Sequence, residues 1–505
     1  MMEKSSRNSI TKNAVLKVIL NIFNVIIPII TGPYLARTLD VELYGVYNRS
    51  LSFVGFLLPF AGFGIYNYGI REISRVKNDK KKLSSLFTIL FSVGCISSFV
   101  VLIFYIIYLN IAIEVDYRLV YYAMAIQILA SMVNVEYMNE AYENYSFIVY
   151  KTLLVRILNV FLILLCVRKP NDILIYAIIY SGLQFLNYFL SFLYVKLKVK
   201  IPFLKISAGE IKNVMKPLAI MFILMNCNML YTNLDRLFLS EASEGIYVTY
   251  YTFSQTIINM VTNVLNSIVL VTIPRLSFYF TNKSKEAYCE LVRKSSSVFF
   301  ILSIPLCIGF FIFSDIVMLL YGGNNYIGAG RTFGIFSLRM LIWIVDYVLV
   351  NQILFIQGYE SKITKIYFLG GGVNVLLKFM LVTSGRLTSE TAIFTTAIAE
   401  IILIFIEIGT IKKEKVDGMQ GLMKKYIKYF VFSISFIPIS YFNYQIFNVQ
   451  YVIDKKLFLF IIVTVFECVG LYGVLLAVSK DSVFNECMRM IKEKLKNKQK
   501  GEEKK

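Results

Sequence analysis

Six basic side chains stand in, or at the edges of, long apolar stretches of this sequence: Lys17, Arg37, Arg49, Arg236, Arg339 and Lys378. A charge at the centre of a membrane span costs at least ~2.5–3.5 kcal/mol, so each needs an anion, a water-filled space or a route to the headgroups. The chemistry open to them is anion binding, because Arg presents a two-pronged fork to phosphate and Lys a point charge. Lys17 lies near the end of its stretch and has snorkelling as its bland alternative. Arg37, Arg49 and Arg236 have headgroups or a neighbouring carboxylate, Asp40 or Asp235, as theirs. Three further carboxylates share the apolar setting: Asp346, Glu400 and Glu407. They are candidates to bind or relay a coupling ion, with structural pairing to Arg339 or Lys378 as the competing reading.

Amides accompany the charges at helical spacing. Asn13, Lys17, Asn21, Asn24, Pro28 and Thr31 follow steps of 4, 4, 3, 4 and 3, which places them on one helix face. Similar stripes are Gln127, Ser131 and Asn134; Gln184, Asn187 and Ser191; and Gln255, Asn259, Asn263 and Asn266. One such stripe is equally a seam glued by amides. Several together favour a wet cavity lined by Asn21, Asn24, Gln127, Asn134, Gln184, Asn187, Gln255, Asn259 and Asn263.

Other chemistries lose their parts. The chain has no histidine, which removes an imidazole base, a Ser–His–Asp triad and a His-ligated metal. Its seven cysteines are scattered without a CxxC spacing, and five fall in apolar stretches where they act as small hydrophobes. No cofactor is expected beyond a coupling ion, H+ or Na+. The formal charge of +20 is spread in short runs between apolar blocks, which is how membrane-protein loops read and not how a nucleic-acid surface reads.

The elements that must position these residues are membrane helices. Apolar residues make up 57% of the chain and come in blocks of the length a span requires, about 20 residues. Spans are expected near residues 14–36, 46–70, 83–109, 119–137, 152–167, 173–195, 217–239, 247–273, 298–320, 332–356, 367–383, 388–411, 429–449 and 457–478. The fold class is therefore all-α and polytopic, with about fourteen transmembrane helices. Lys and Arg concentrate on one side of that layout, with dense runs at 71–82, 196–216, 412–428 and 480–505, so both termini are expected in the cytoplasm. The first apolar stretch is too long for a signal-peptide core and is expected to remain as a span. The outer loops are short and leave no room for an extracytoplasmic catalytic domain.

An internal repeat organises the spans. Leu35-Ala36-Arg37 followed by Gly45-Val46-Tyr47 has a counterpart in Leu234-Asp235-Arg236 followed by Gly245-Ile246-Tyr247. Gly69-Ile70-Arg71 likewise matches Ile273-Pro274-Arg275. Two pseudo-symmetric six-helix bundles follow, residues 1–200 and 201–415, with two unmatched spans over 416–480 and a basic cytoplasmic tail over 481–505. Parallel repeats of this kind build transporters with a site between two bundles.

The sequence resembles a known family at this point. Thr31-Gly32-Pro33-Tyr34-Leu35-Ala36-Arg37-Thr38-Leu39 with Tyr44-Gly45-Val46-Tyr47 is similar to the exit of span 1 in bacterial Wzx-type oligosaccharide flippases of the multidrug/oligosaccharidyl-lipid/polysaccharide exporter superfamily. The run from Gly64 to Ile73 is similar to the exit of span 2, and Glu136 to Lys151 to the loop after span 4. Leu234-Asp235-Arg236-Leu237 and Ile273-Pro274-Arg275-Leu276-Ser277 resemble markers of the second bundle. Asp40 replaces the glycine usual after the span 1 motif, which puts the shape of that turn in question. The resemblance implies a V-shaped exporter fold in the bacterial cytoplasmic (inner) membrane. It also implies alternating access that carries an undecaprenyl-diphosphate-linked oligosaccharide, an O-antigen or capsule repeat unit, to the outer leaflet. Membrane lipids, a polymerase and other polysaccharide-assembly proteins are the partners it implies. Within the same superfamily, a drug/cation antiporter and a peptidoglycan lipid-precursor flippase are the alternatives. A membrane enzyme such as a glycan polymerase needs a sizeable outer loop, so no enzymatic activity is expected.

Overall fold

The computed structural model describes residues 23, 26–226, 234–282, 284–486 and 488–489, and every regular element among them is helical. The first helix, α1, covers 26–38. It is followed by α2 (Val41–Gly62), α3 (Ile65–Val76), α4 (Lys80–Ala112), α5 (Arg118–Met132), α6 (Glu136–Ala141), α7 (Tyr145–Cys166), α8 (Ile173–Tyr194) and α9 (Ala208–Asn226). The chain continues through α10 (Leu234–Ala242), α11 (Gly245–Leu270), α12 (Ile273–Thr281), α13 (Lys285–Ile312), α14 (Ser314–Gly322) and α15 (Ala329–Val348). Last come α16 (Glu360–Thr383), α17 (Ser389–Lys413), α18 (Leu422–Ile434), α19 (Phe436–Phe447) and α20 (Lys455–Val478).

Among the described residues, twelve stretches are long and apolar enough to cross a membrane. They coincide with the second to sixth and the eighth to fourteenth expected spans. The first and seventh expected spans run into residues outside the described set. The protein is thus a multi-pass α-helical membrane protein. Its lipid-facing surface is visible on α4, where Ile96, Phe99, Val100, Ile103, Phe104 and Ile107 recur at helical spacing and are all exposed.

Local chemistry sets the helix ends. Asp40 opens α2, its carboxylate accepting from the amides of Glu42 at 3.0 Å and Leu43 at 3.1 Å. An N-cap is a position where aspartate does what glycine cannot, which accounts for the departure from the glycine usual at that turn. Ser207 and Glu210 close a capping box at α9: the Ser207 amide donates to Oε2 of Glu210 at 2.8 Å, and the Glu210 amide donates to the Ser207 hydroxyl at 3.3 Å. Gly64 breaks α2 from α3 with φ of 71°, and a Cβ there would meet the amide nitrogen of Phe222 at 2.8 Å. Only glycine meets both demands.

The fifth span begins earlier than the sequence suggests, at Tyr145 instead of Thr152. Lys151 reads as a charged break, but in the structure its ammonium is buried against Glu136 at 2.9 Å and donates to the Ser191 hydroxyl at 2.6 Å. A neutralised lysine does not interrupt a helix.

By its contacts the chain divides into two compact units. One comprises Met1–Thr252, Tyr321–Gly323 and Asn374–Ala392, and the other Phe253–Leu320, Asn324–Val373 and Ile393–Lys505. The first holds an apolar core in which Phe87, Leu90, Tyr137 and Met138 are fully or almost fully buried. In the second, Leu319, Leu457 and Phe460 form a comparable cluster.

Candidate functional site

Within the first unit, residues of α2, α3, α4, α5, α6 and α8 line a cavity of about 360 Å³, among them Tyr66, Gln127, Ser131, Gln184 and Tyr188, with Asn134 from the turn between α5 and α6. Two of the expected polar stripes, one on each of two different spans, therefore meet around the same space. The amides are held by short local bonds: Gln184 Nε2 donates to the Tyr188 hydroxyl at 3.1 Å, and the Asn134 side-chain oxygen accepts from the amide of Glu136 at 3.2 Å. Tyr66 donates to Glu140 at 2.6 Å. Further polar atoms in this unit are buried without a hydrogen-bond partner: Asn187 Oδ1, the Tyr137 hydroxyl, and both side-chain polar atoms of Asn139. A buried polar atom left unsatisfied costs about 1–3 kcal/mol, which a ligand hydroxyl or water can recover.

Arg49 stands where α2 meets the turn between α10 and α11. A Cβ built on Gly45 would lie 3.0 Å from the carbonyl of Gly245, so the two glycines equivalent in the internal repeat pack backbone to backbone. Arg49 donates to the Ser243 carbonyl at 2.5 Å, while its Nε is buried without a partner. Asn48 donates to the Thr249 hydroxyl at 3.3 Å. Arg236 is half-buried and faces Tyr47, Tyr180 and Tyr251. Arg37 is exposed and lies beside Gly323.

Lys378 has a different setting. Its ammonium stands 2.7 Å from the Asp235 carboxylate, both side chains are wholly shielded, and it also donates to Asn374. Tyr251 completes the cluster with a 2.6 Å bond to Asp235. The charge is neutralised on the spot, as the competing reading of the intramembrane charges requires.

In the second unit four of the expected residues come together. Arg339 grips Glu400 with two bonds, Nε to Oε2 at 2.9 Å and Nη2 to Oε1 at 2.6 Å. Asp346, next to this pair, accepts from the Tyr367 hydroxyl at 3.1 and 3.2 Å and faces Glu407. Glu407 is buried, and its Oε2 has no donor. Two carboxyl groups side by side in a dry interior hold one proton or one cation between them more readily than two bare charges. Gln255 is buried, while Asn259 and Asn263 on α11 are exposed. Lys17, Asn21 and Asn24 lie outside the described residues.

Sequence reasoning passed over three features. The buried Glu136–Lys151–Ser191 cluster beside the cavity was hidden because Lys151 looked like a loop charge. Asn139 looked like part of a loop. Arg156 stands out in the sequence only as a charge within the short expected span at 152–167, although Thr152, Arg156 and Asn159 form a stripe with steps of 4 and 3.

Comparison with solved structures shows which membrane-protein fold the chain shares. The chain superposes on one described as the lipid II flippase MurJ in an inward closed conformation, with a TM-score of 0.71 over 93% of this chain and 98% of that one, at 10% identity. A multidrug resistance MATE family transporter of the MOP superfamily gives a TM-score of 0.53 over 77% of this chain and 99% of that one, at 12% identity. Residues 10–280 match the family described as polysaccharide biosynthesis protein, and the chain belongs to that family. It is also 20% identical, over 75% of its length and 91% of the relative's, to a protein of Escherichia coli (strain K12) whose name describes an O-antigen transporter.

Proposed function

We propose that the protein is a flippase. It carries an undecaprenyl-diphosphate-linked oligosaccharide repeat unit, of O-antigen or capsule type, from the cytoplasmic to the outer leaflet of the bacterial cytoplasmic membrane by alternating access. The observation that carries this reading is the convergence of Gln127, Asn134 and Gln184 on one cavity. Amides and tyrosine hydroxyls on an apolar frame match a sugar, which offers hydroxyls along its rim and apolar faces between them. Membership of the polysaccharide biosynthesis family supports the pathway, and the fold shared with a lipid flippase supports the reaction. In this reading Lys17, Arg37, Arg49 and Arg236 meet the diphosphate. Arg339, paired to Glu400, serves it only if that pair opens, and Lys378, sealed against Asp235, contributes by holding the helices. Asp346, Glu400 and Glu407 couple transport to an ion gradient, with H+ or Na+ moving against the cargo. Both termini lie in the cytoplasm, and a polymerase takes over the cargo in the outer leaflet. The drug/cation antiporter reading is disfavoured by the number of interior cations, since its substrates are themselves cations.

The test is a deletion strain examined for its lipid-linked intermediates. The expected result is loss of the surface polysaccharide while the complete repeat unit accumulates on its lipid in the inner leaflet. Normal polysaccharide, or accumulation of an incomplete repeat unit, contradicts the reading.

A further inference from the structure

Where α17 ends and α18 begins, the second unit holds a cavity of about 500 Å³. Its walls are apolar: Phe300 from α13, Val345 and Val348 from α15, Leu349 just beyond it, Ile408 from α17 and Leu422 from α18. Tyr426 also lines it, but its hydroxyl is already spent. It donates to the Leu341 carbonyl at 3.0 Å, and the ring stands edge-on to Phe300 with centroids 5.6 Å apart. Water held in a cavity needs about two to four polar partners, which these walls do not offer, so the space suits a hydrocarbon chain. At Leu349 the helix passes into a π-helical turn, Leu349–Leu354, a wider winding that recurs at functional sites.

Two ammonium groups belong to the same lining. Lys412 lies in the last turn of α17 and Lys424 in the first turn of α18, and both are exposed. These helices belong to consecutive spans, Ser389–Lys413 and Leu422–Phe447, so the two lysines stand at one face of the bilayer, at headgroup depth. The carboxylates of the connecting loop are engaged elsewhere. Glu414 pairs with Lys362 at 2.6 Å and Asp417 with Lys285 at 2.8 Å. Asp481 is taken by Lys425 and Lys428. Among the described residues, the side chains of Lys412 and Lys424 have neither a hydrogen-bond nor an ion-pair partner.

We infer that this cavity binds an anionic phospholipid of the surrounding bilayer, one acyl chain among α13, α15 and α17 and the phosphate against Lys412 and Lys424. An apolar slot beside two uncompensated cations matches a molecule that carries both parts; a free phosphate leaves the slot empty, and a neutral lipid leaves the cations unmatched. Val345 and Ile408 are the sequence neighbours of Asp346 and Glu407, so the chain wedges the two helices that carry these carboxylates. The occupant is a lipid of the membrane and not the cargo, and its site goes beyond the transport reading above.

The experiment is native mass spectrometry of the purified, delipidated full-length protein titrated with palmitoyl-oleoyl phosphatidylglycerol, with palmitoyl-oleoyl phosphatidylcholine and glycerol 1-phosphate as comparisons. Wild type takes up one phosphatidylglycerol saturably and in preference to phosphatidylcholine, and glycerol 1-phosphate at the same concentration does not displace it. The double variant Lys412→Gln with Lys424→Gln binds roughly thirtyfold more weakly, about fivefold for each charge lost. Ile408→Trp, which fills the slot and keeps both lysines, also loses binding. A further readout needs no variant: phosphatidylglycerol with a diazirine in its acyl chain labels peptides that contain Val348 or Ile408, and unlabelled phosphatidylglycerol suppresses that labelling. Equal binding of the two phospholipids, displacement by glycerol 1-phosphate, unchanged affinity in the folded double variant or in folded Ile408→Trp, or labelling that excess lipid does not suppress each overturns the inference. None of these results alters what a deletion strain accumulates, so the transport reading is judged separately.

Discussion

A Cβ added to Gly45 would stand 3.0 Å from both the carbonyl carbon and the carbonyl oxygen of Gly245, closer than side chains ordinarily approach a backbone. The same two glycines begin the matching Gly-Val-Tyr and Gly-Ile-Tyr segments of the internal repeat. Their contact brings equivalent points of the two copies together inside one compact unit. Gly45→Ala is expected to push the helices apart locally at a cost of ~1–3 kcal/mol. A thermal melt of the purified protein reads this as a lowered midpoint, and Gly45→Leu lowers it further. Unchanged midpoints for both variants contradict the close approach.

The Lys378–Asp235 pair predicts that a second change undoes most of the damage done by the first. Lys378→Met leaves Asp235 charged and shielded, and breaking a buried pair from one side costs ~3–5 kcal/mol. Restoring neutrality with Asp235→Asn in the same chain is expected to recover most of that loss. If the double variant unfolds as readily as the single one, the pair is not what holds Lys378.

Much of this layout was legible in the sequence, and the places where it was not have specific causes. Span positions followed from block length and charge, because backbone groups in lipid must bond within their own helix. The polar stripes at 127–134 and 184–191 pointed inward because steps of 3 and 4 fix a face. Pairing was the part that sequence spacing does not encode. Arg339 finds Glu400 at 61 residues' remove, and Lys378 finds Asp235 at 143. Lys151 showed the same limit in reverse: it was read as a break, because its partner Glu136 was read as part of the loop before the span.

Near the C-terminal end of the described chain, Asp481 offers a pH test outside the spans. Burial acts to raise its carboxyl, but hydrogen bonds from Lys428 at 2.8 Å and Lys425 at 2.9 Å outweigh burial and hold it at about 2, below its ordinary 3.8. A carboxyl with a lowered folded value adds stability above its unfolded value and loses it as pH falls through the folded one. The difference in melting midpoint between wild type and Asp481→Asn is therefore expected to be constant above about pH 4 and to shrink toward pH 2. A difference that grows on acidification contradicts the assignment.

Glu407 bears on coupling. Its Oε2 has no donor and the side chain faces Asp346, and the transport reading proposed above gives this pair the coupling role. Glu407→Gln is expected to leave cargo binding within about twofold of wild type while abolishing the response of transport to an imposed ion gradient. Retained gradient dependence removes Glu407 from the coupling role.

The most direct measurement is translocation itself, followed in proteoliposomes that contain the full-length protein and a fluorescently tagged undecaprenyl-diphosphate oligosaccharide. A membrane-impermeant quencher reports which leaflet the sugar occupies. The account predicts that the protein speeds movement between leaflets, and that replacing Gln127, Asn134 and Gln184 together by Leu slows it while the protein stays folded. Leaflet exchange no faster than in protein-free vesicles, or an unaltered rate in the triple variant, contradicts it.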